Sequence, residues 1–271
     1  MMGASDVDRG PRLLSICTGI GGLDLGVGLA LPGARTVCMV EGEAACVEVL
    51  ASRMEDGRLH PAPIWTNART FDGRPWRGRV HGIVAGYPCQ PFSFAGKRRG
   101  AEDPRHLWPE ILRIAGEVEP EFLFLENVAG HIKLGLDRVL GDLAEVGFDA
   151  EWTTVRASDV GAPHRRERVF ILAYRRGGGL KKFCKAYDLD RDHALGHDAH
   201  GCDQGKGAWP PGPKGDWSGI PKHLWPATQP ELRGMADGLP GRVDRLRALG
   251  NAVVPQQAAL ALRQLISRIE R

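Results

Sequence analysis

RLLSICTGIGGLDLGVGLALPGARTVCMVEGEAACVEVLASRM, residues 12–54, is the stretch that decides the fold. Its short apolar runs RLLSIC and RTVCMVE are typical of buried strands, and the runs LDLGVGLALPG and AACVEVLASRM have the spacing of helices. Strands that alternate with helices favour a parallel sheet whose faces are covered by those helices. The stretch therefore predicts an α/β fold.

The same alternation continues up to residue 174. Further strands are predicted at 80–85, 121–126, 151–156 and 168–174, with helices near 106–118 and 134–147. The last two strands are candidates for an antiparallel pair at the edge of the sheet. A Pro start and a regular apolar face predict a closing helix over 255–270.

After Tyr174 the sequence becomes rich in Gly, Pro and charged residues and poor in regularly spaced apolar ones. We therefore predict three parts. They are a main domain over 1–174, a short irregular insert over 175–235, and a C-terminal segment over 236–271 that packs back on the main domain.

The composition limits the size, the charge and the cellular location that we expect for the protein. The chain has 271 residues, of which 42% are hydrophobic, and this is enough for one substantial core. Its formal charge of +3 permits a polyanionic partner without requiring one. The 6 cysteines are scattered, and the sequence shows neither an export signal nor a run of about 18 apolar residues. We expect a cytoplasmic protein that does not enter a membrane.

The turn TGIGG at 18–22 follows a predicted strand and opens a predicted helix. Its glycines allow backbone N–H groups to approach an anionic ligand at the start of that helix. A dinucleotide site would require Gly or Ala where Asp24 stands, which counts against a nicotinamide cofactor. Glu41 ends the next strand, where an acidic side chain can bind a ribose. The pair suggests an adenosine-containing ligand, and an ordinary tight turn beside a solvated strand end is the alternative.

A candidate nucleophile lies in AGYPCQPFSFAGKRRG, residues 85–100. Cys89 follows a predicted strand and stands between two prolines, which restrict the backbone around the thiol. The basic residues that follow favour the thiolate form. The alternative is that Cys89 is a small buried apolar residue.

Several of these motifs are similar to the motifs of a known enzyme family. PCQ with the FS that follows, together with TGIGG, resembles the cytosine-5 DNA methyltransferase family of bacterial and phage type. Three further segments are similar to family segments and occur in the family's order: FLFLENV (122–128), HRRER (164–168) and RLRALGNAVVP (245–255). The resemblance implies a Rossmann-like S-adenosylmethionine-dependent methyltransferase sheet with helices on both faces. It makes 1–174 the catalytic and cofactor-binding domain and 175–235 a small irregular target-recognition lobe.

The activity that the resemblance implies is methyl transfer from S-adenosylmethionine to carbon 5 of cytosine in double-stranded DNA. Cys89 would add to carbon 6 of a flipped-out base. Glu126 would give a proton to the pyrimidine N3, which requires a pKa raised by burial. Arg168 would contact the cytosine carbonyl, and Arg166, on the same face of an extended segment, would support the site.

The binding residues follow from the same resemblance. It assigns cofactor contacts to Thr18, Gly19, Ile20, Gly21, Gly22, Glu41, Asn67, Pro88 and Asn251. It assigns DNA contacts to Gln90, Ser93, Lys97, Arg98 and Arg99. Three positions depart from the family pattern: His164 for Gln, Cys17 for an aromatic residue, and Asn67 for Asp. None of these changes removes a catalytic group, and the chemistry requires no metal.

Several alternatives stay open at this point. A tRNA substrate is one, because a minority branch of the family methylates tRNA. A catalytically silent DNA-binding module has no chemical need for Cys89, Glu126 and Arg168, and an oxidoreductase has no use for the Pro-Cys-Gln turn. The spacing of the Cys and His residues in the insert fits no standard zinc finger. The partners that the resemblance implies are double-stranded DNA and, as a functional partner, a cognate restriction endonuclease.

Overall fold

The computed structural model describes residues 10–88, 107–177, 179–187 and 250–269. Within them, seven strands form one sheet: β1 (Arg12–Ile16), β2 (Arg35–Val40), β3 (Ile64–Trp65), β4 (Gly82–Gly86), β5 (Phe122–Val128), β6 (Phe148–Arg156) and β7 (Glu167–Arg175). Their order is β3-β2-β1-β4-β5-β7-β6. The first five strands pair in parallel, and β7 is antiparallel to both of its neighbours.

The sheet agrees with the sequence prediction in most strands. The last two strands pair as predicted, but β7 lies between β5 and β6, so only β6 forms the edge. Strand β3 was not predicted, because two residues are too few to show an alternating pattern.

Helices cover both faces of the sheet. They are α1 (Gly22–Ala30), α2 (Ala44–Glu55), α3 (Trp108–Val118), α4 (Leu136–Glu145), α5 (Gly179–Ala186) and α6 (Pro255–Ile269). Successive residues of a strand point to opposite faces. Accordingly, Leu14 and Ile83 pack with α3 and α4, and Leu13 and Val84 pack with α1 and α6. The predicted doubly covered sheet is confirmed.

Two glycines of α1 allow the C-terminal segment to pack closely against this helix. A Cβ at Gly22 would lie 2.3 Å from the carbonyl oxygen of Val253, and a Cβ at Gly26 would lie 2.6 Å from Cβ of Ala258. Both distances are too short for a side chain. Glycine at these two positions therefore allows α6 and the residues just before it to lie directly against α1.

The packed core continues past residue 174. Helix α5 buries Phe183 and Cys184, and the ring of Phe183 lies 5.0 Å from that of Phe122 at the amino end of β5. The predicted insert thus starts with a helix that belongs to the core. Most of the insert lies outside the described residues, and the proposed boundaries stay predictions. Among the described helices, none is long and apolar enough to span a membrane.

Candidate active site

The sheet has a switch point between β1 and β4. From β1 the chain proceeds outward to β2 and β3, and it returns to add β4 and β5 on the other side. In such sheets a crevice opens at the carboxyl ends of the strands where the direction changes. A cavity of about 730 Å³ lies at this place.

Most of the predicted site residues line this one cavity. From the cofactor set these are Thr18, Gly19, Ile20, Gly22, Glu41, Asn67, Pro88 and Asn251, and from the catalytic set Glu126 and Arg168. Gly21 stands behind the wall, as the residue that caps α1. Arg166 also lies outside the wall.

The Gly-rich turn is held in an unusual backbone conformation. The φ angle is 58° at Gly19 and 79° at Gly21, values at which a side chain is strained. A Cβ at Gly19 would have no atom within 4 Å. The turn thus leaves open space at the start of α1, where a ligand can approach the backbone.

Glu41 is fixed by the loops on either side of it. The N–H of Gly19 donates to its Oε2 at 2.6 Å, and the N–H of Glu43 donates to its Oε1 at 2.8 Å. Burial raises the pKa of Glu41, and these two backbone hydrogen bonds oppose the rise. Each carboxylate oxygen can accept a further hydrogen bond, so Glu41 can bind a hydroxyl pair in the cavity.

Asp24, which argued against a nicotinamide cofactor, connects three elements. Its buried carboxylate accepts hydrogen bonds from the hydroxyls of Ser15 on β1, at 3.0 Å, and Thr36 on β2, at 2.6 Å. Burial raises the pKa of Asp24, and these hydroxyls oppose the rise. Sequence reasoning missed this role, although polar residues inside two otherwise apolar strands were a usable signal.

Asn67 begins the short turn that forms the far wall of the cavity. Its Oδ1 accepts from the N–H of Arg69 at 3.0 Å. The guanidinium of Arg113 on α3 donates to the carbonyls of Ala68, at 2.8 Å, and Phe71, at 3.0 Å. Arg113 therefore holds the turn that carries Asn67, a role that the sequence did not indicate.

Cys17 also lines the cavity. Burial raises the pKa of its thiol to about 12, and the nearby carboxylate of Glu41 acts in the same direction. A thiol with this pKa stays protonated at neutral pH and is a poor nucleophile. Cys17 is therefore part of the wall rather than a reacting group.

Glu126 and Arg168 form a buried ion pair at the centre of the site. The Nε of Arg168 lies 2.8 Å from Oε1 of Glu126. Only 7% of the surface of Glu126 is exposed to solvent. Burial raises the pKa of Glu126 to about 7, although the charges of Arg168 and Arg166 lower it. A carboxyl group with this pKa can give and take a proton near neutral pH.

Arg166 has a different position from the one that strand alternation predicts. It precedes β7 and adopts a positive φ of 26°, so the argument that it shares a strand face with Arg168 does not apply. Its Nη2 donates to the carbonyls of Gly250, at 2.7 Å, and Ala252, at 2.5 Å. Arg166 therefore anchors the segment that brings Asn251 to the cavity.

The predicted nucleophile and DNA contacts lie outside the described residues. These are Cys89, Gln90, Ser93, Lys97, Arg98 and Arg99. Their roles stay predictions. Pro88, the last described residue before Cys89, lines the same cavity as Glu126.

Known proteins resemble the chain in sequence. The family model of C-5 cytosine-specific DNA methylases matches residues 12–194. Type II methyltransferase M.NgoMIV of Neisseria gonorrhoeae is 33% identical over 164 residues, which cover 59% of this chain and 50% of that protein. Type II methyltransferase M.CviJI of Paramecium bursaria Chlorella virus IL3A is 33% identical over 169 residues, covering 61% and 43%. The chain thus spans about half the length of these relatives.

Solved structures show the same fold. The Dnmt2 methyltransferase of S. pombe superimposes with a TM-score of 0.51 at 23% sequence identity, covering 62% of this chain and 51% of that one. This likeness confirms the predicted Rossmann-like methyltransferase sheet.

Proposed function

Since the chain belongs to the C-5 cytosine-specific DNA methylase family, we propose that it transfers a methyl group from S-adenosylmethionine to carbon 5 of cytosine in double-stranded DNA. One observation carries the proposal. A buried carboxyl group with a pKa of about 7, Glu126, shares a single cavity with Glu41 and the Gly-rich turn. A proton donor for the base thus lies beside a site suited to an adenosine-containing cofactor.

The cavity fits S-adenosylmethionine in size and in chemistry. Its volume of about 730 Å³ lies in the usual range for small-molecule sites. Glu41 would bind the ribose hydroxyls, the open space at Gly19 would accept the methionine part, and Asn67 would accept a hydrogen bond from the adenine amino group. When bound, S-adenosylmethionine supplies a methyl group that is electrophilic because it is attached to a positively charged sulfur.

The residues of the chain would activate the base. The Cys89 thiolate adds to carbon 6, the π pair between carbons 5 and 6 shifts to carbons 4 and 5, and the π pair between carbon 4 and N3 shifts to N3. N3 takes the proton of Glu126. Carbon 5 is then the electron-rich end of an enamine. After carbon 5 has been methylated, it loses its proton to solvent, the thiolate leaves, and N3 returns its proton to Glu126.

Arg168 would support this proton transfer. Once Glu126 has given up its proton, the guanidinium 2.8 Å away stabilises the resulting carboxylate. By resemblance, Arg168 also contacts the cytosine carbonyl. The base must leave the duplex to reach these groups, and Ser93, Lys97, Arg98 and Arg99 would hold the phosphates of the opened strand.

The relatives' names suggest a biological setting. M.NgoMIV and M.CviJI are Type II methyltransferases. We extend this class to the chain and propose a role in restriction-modification, in which methylation protects DNA from a cognate endonuclease. The partnership is functional and requires no physical contact.

The test is methyl transfer by the purified protein. The protein is incubated with tritium-labelled S-adenosylmethionine and either bacterial genomic DNA or total tRNA, and the nucleic acid is digested to nucleosides. We expect label only in 5-methyldeoxycytidine from the DNA. Label in tRNA alone, or label on another base, would overturn the proposal. In the same assay Cys89→Ala should give no label, and Cys184→Ala, whose cysteine is buried in α5 and does not line the cavity, should give as much label as the wild type.

A further inference from the structure

A buried tyrosine–histidine pair connects the end of β4, just before Pro88, to the turn that follows β5, the strand that carries Glu126. The hydroxyl of Tyr87 lies 2.9 Å from Nε2 of His131. Tyr87 is 4% exposed and His131 is 0% exposed. Tyr87 comes two residues before Cys89, and His131 lies in the turn that follows β5, just after Glu126.

Strand pairing stops where this contact begins. The last paired residues of β4 and β5 are Gly86 and Glu126. Pro88 has no N–H and cannot extend a ladder of hydrogen bonds. Beyond this point a side-chain hydrogen bond connects the two chain segments: Nδ2 of Asn127 donates to the carbonyl of Tyr87 at 3.1 Å.

Tyr87 is therefore held at three points. Its carbonyl accepts from Asn127, its hydroxyl is bonded to His131, and its ring packs against that of Trp108 at 5.3 Å. Burial lowers the pKa of His131, and a backbone hydrogen bond of Leu134 opposes this. A neutral imidazole can hydrogen-bond the phenol with no uncompensated buried charge.

We propose that Tyr87 and His131 are positioning residues, whose hydrogen bond fixes Pro88, the residue before the proposed nucleophile, relative to the carboxyl group of Glu126. The inference rests on the proposed function, in which Cys89 and Glu126 act on the same base. Two groups that act on one ring must keep a constant separation, and a misplacement of about 1 Å in such a site costs roughly 10²-fold in rate. Tyr87 lines the cavity and His131 is fully buried, so the pair provides this constraint from the cavity wall.

The chain contains a matched control. The hydroxyl of Tyr187 lies 2.9 Å from Nε2 of His81, so the same two side chains make the same contact at the amino ends of the strands. Tyr87→Phe and Tyr187→Phe each remove one hydroxyl from such a pair. Tyr87→Phe should lose more stability, because its pair is buried whereas that of Tyr187 is part-buried, and only Tyr87→Phe should affect the reaction.

The first readout is steady-state methyl transfer with a cytosine-containing duplex library. We expect Tyr87→Phe to lower kcat about tenfold or more with the KM for S-adenosylmethionine within about twofold, and Tyr187→Phe to retain the wild-type kcat. His131→Leu should match Tyr87→Phe, and the double variant should be no slower than the slower single one. His131→Gln, which keeps a hydrogen-bonding group, should recover part of the rate. Equal kcat values for Tyr87→Phe and Tyr187→Phe, measured well below the Tm of both variants, would overturn the inference.

A second readout separates this inference from the proposed function. The alkylation rate of Cys89 by iodoacetamide is measured by peptide mass spectrometry, which needs no turnover. It should differ from wild type by about threefold or more in Tyr87→Phe and stay unchanged in Tyr187→Phe. An unchanged rate in both variants contradicts positioning by the pair. Absence of methyl transfer by the wild type contradicts the proposed function alone.

Discussion

The two ends of the sheet are built from different kinds of contact. At the carboxyl ends of the strands, Glu41 and Glu126 are buried with raised pKa values, and Arg166 has a positive φ. At the amino ends, Phe122 and Phe183 form an aromatic cluster closed by α5. Buried carboxyl groups and strained backbone reduce stability, whereas apolar packing increases it. The chain thus places the carboxyl groups of Glu41 and Glu126 at the end of the sheet where the cavity lies and a ligand can use them.

The largest effect that tests this comparison is expected at Cys89. Cys89→Ala should lower turnover by at least about 10³-fold, because the variant lacks the thiolate that would form the bond to carbon 6. Binding of S-adenosylmethionine, measured by calorimetry, should be largely intact, since the cavity wall is unchanged. Retained turnover in this variant would contradict the covalent mechanism.

Strand β5 offers a direct comparison of its two ends. Glu126→Gln should lower kcat by about 10²- to 10⁴-fold, because the amide cannot give a proton to N3. Glu121→Gln, at the amino end of the same strand, should leave kcat unchanged. Glu121 is a fair control, since burial raises its pKa as well. Equal losses of rate and DNA binding in Glu126→Gln would make Glu126 a structural residue.

The same carboxyl group predicts a pH dependence. Its pKa is raised from 4.5 to about 7, so the folded protein binds this proton more tightly than the unfolded chain. The stabilisation is complete below pH 4.5 and is lost as the pH rises through 7, a change on the order of 3 kcal/mol. Denaturation of wild type and Glu126→Gln across this pH range should show that difference. Above pH 7, kcat of the wild type should fall, because the proton donor is lost.

Arg166 should affect binding more than chemistry. Arg166→Gln removes the hydrogen bonds that anchor Gly250 and Ala252, and we expect the Kd for S-adenosylmethionine to rise about tenfold. Arg263→Gln is the control, because Arg263 donates to the carbonyl of Leu29 away from the cavity. A loss of kcat with unchanged Kd would instead assign Arg166 to the chemistry.

The smallest effect is expected in α1, away from both ends. Gly26→Ala places a Cβ against α6 and should lower the free energy of unfolding by about 1–3 kcal/mol. Gly28→Ala, two residues on, meets no atom within 4 Å and should raise it by roughly 0.5–1 kcal/mol. Denaturant titration measures both changes. A change of the free energy of unfolding in the same direction in both variants would contradict the close contact between α1 and α6.

The sequence predicted most of the sheet and several wall residues, because apolar runs, Gly-rich turns and strand-end carboxylates are local signals. It missed α5, since KKFCKA is short and charged, and it misplaced Arg166, because a positive φ cannot be read from spacing. It also missed the role of His131. That role depends on Tyr87, which lies 44 residues away and becomes a neighbour only when β4 and β5 pair.

The most direct test of the account is to trap the proposed intermediate. A duplex library that contains 5-fluorocytosine is incubated with the protein and labelled S-adenosylmethionine, and products are separated under denaturing conditions. Release of the enzyme requires the hydrogen on carbon 5 to leave as a proton. Fluorine in its place cannot leave as a cation, so the bond to the enzyme should persist. The account predicts a labelled protein–DNA adduct attached through Cys89. Absence of any adduct while the protein binds both cofactor and DNA would contradict it.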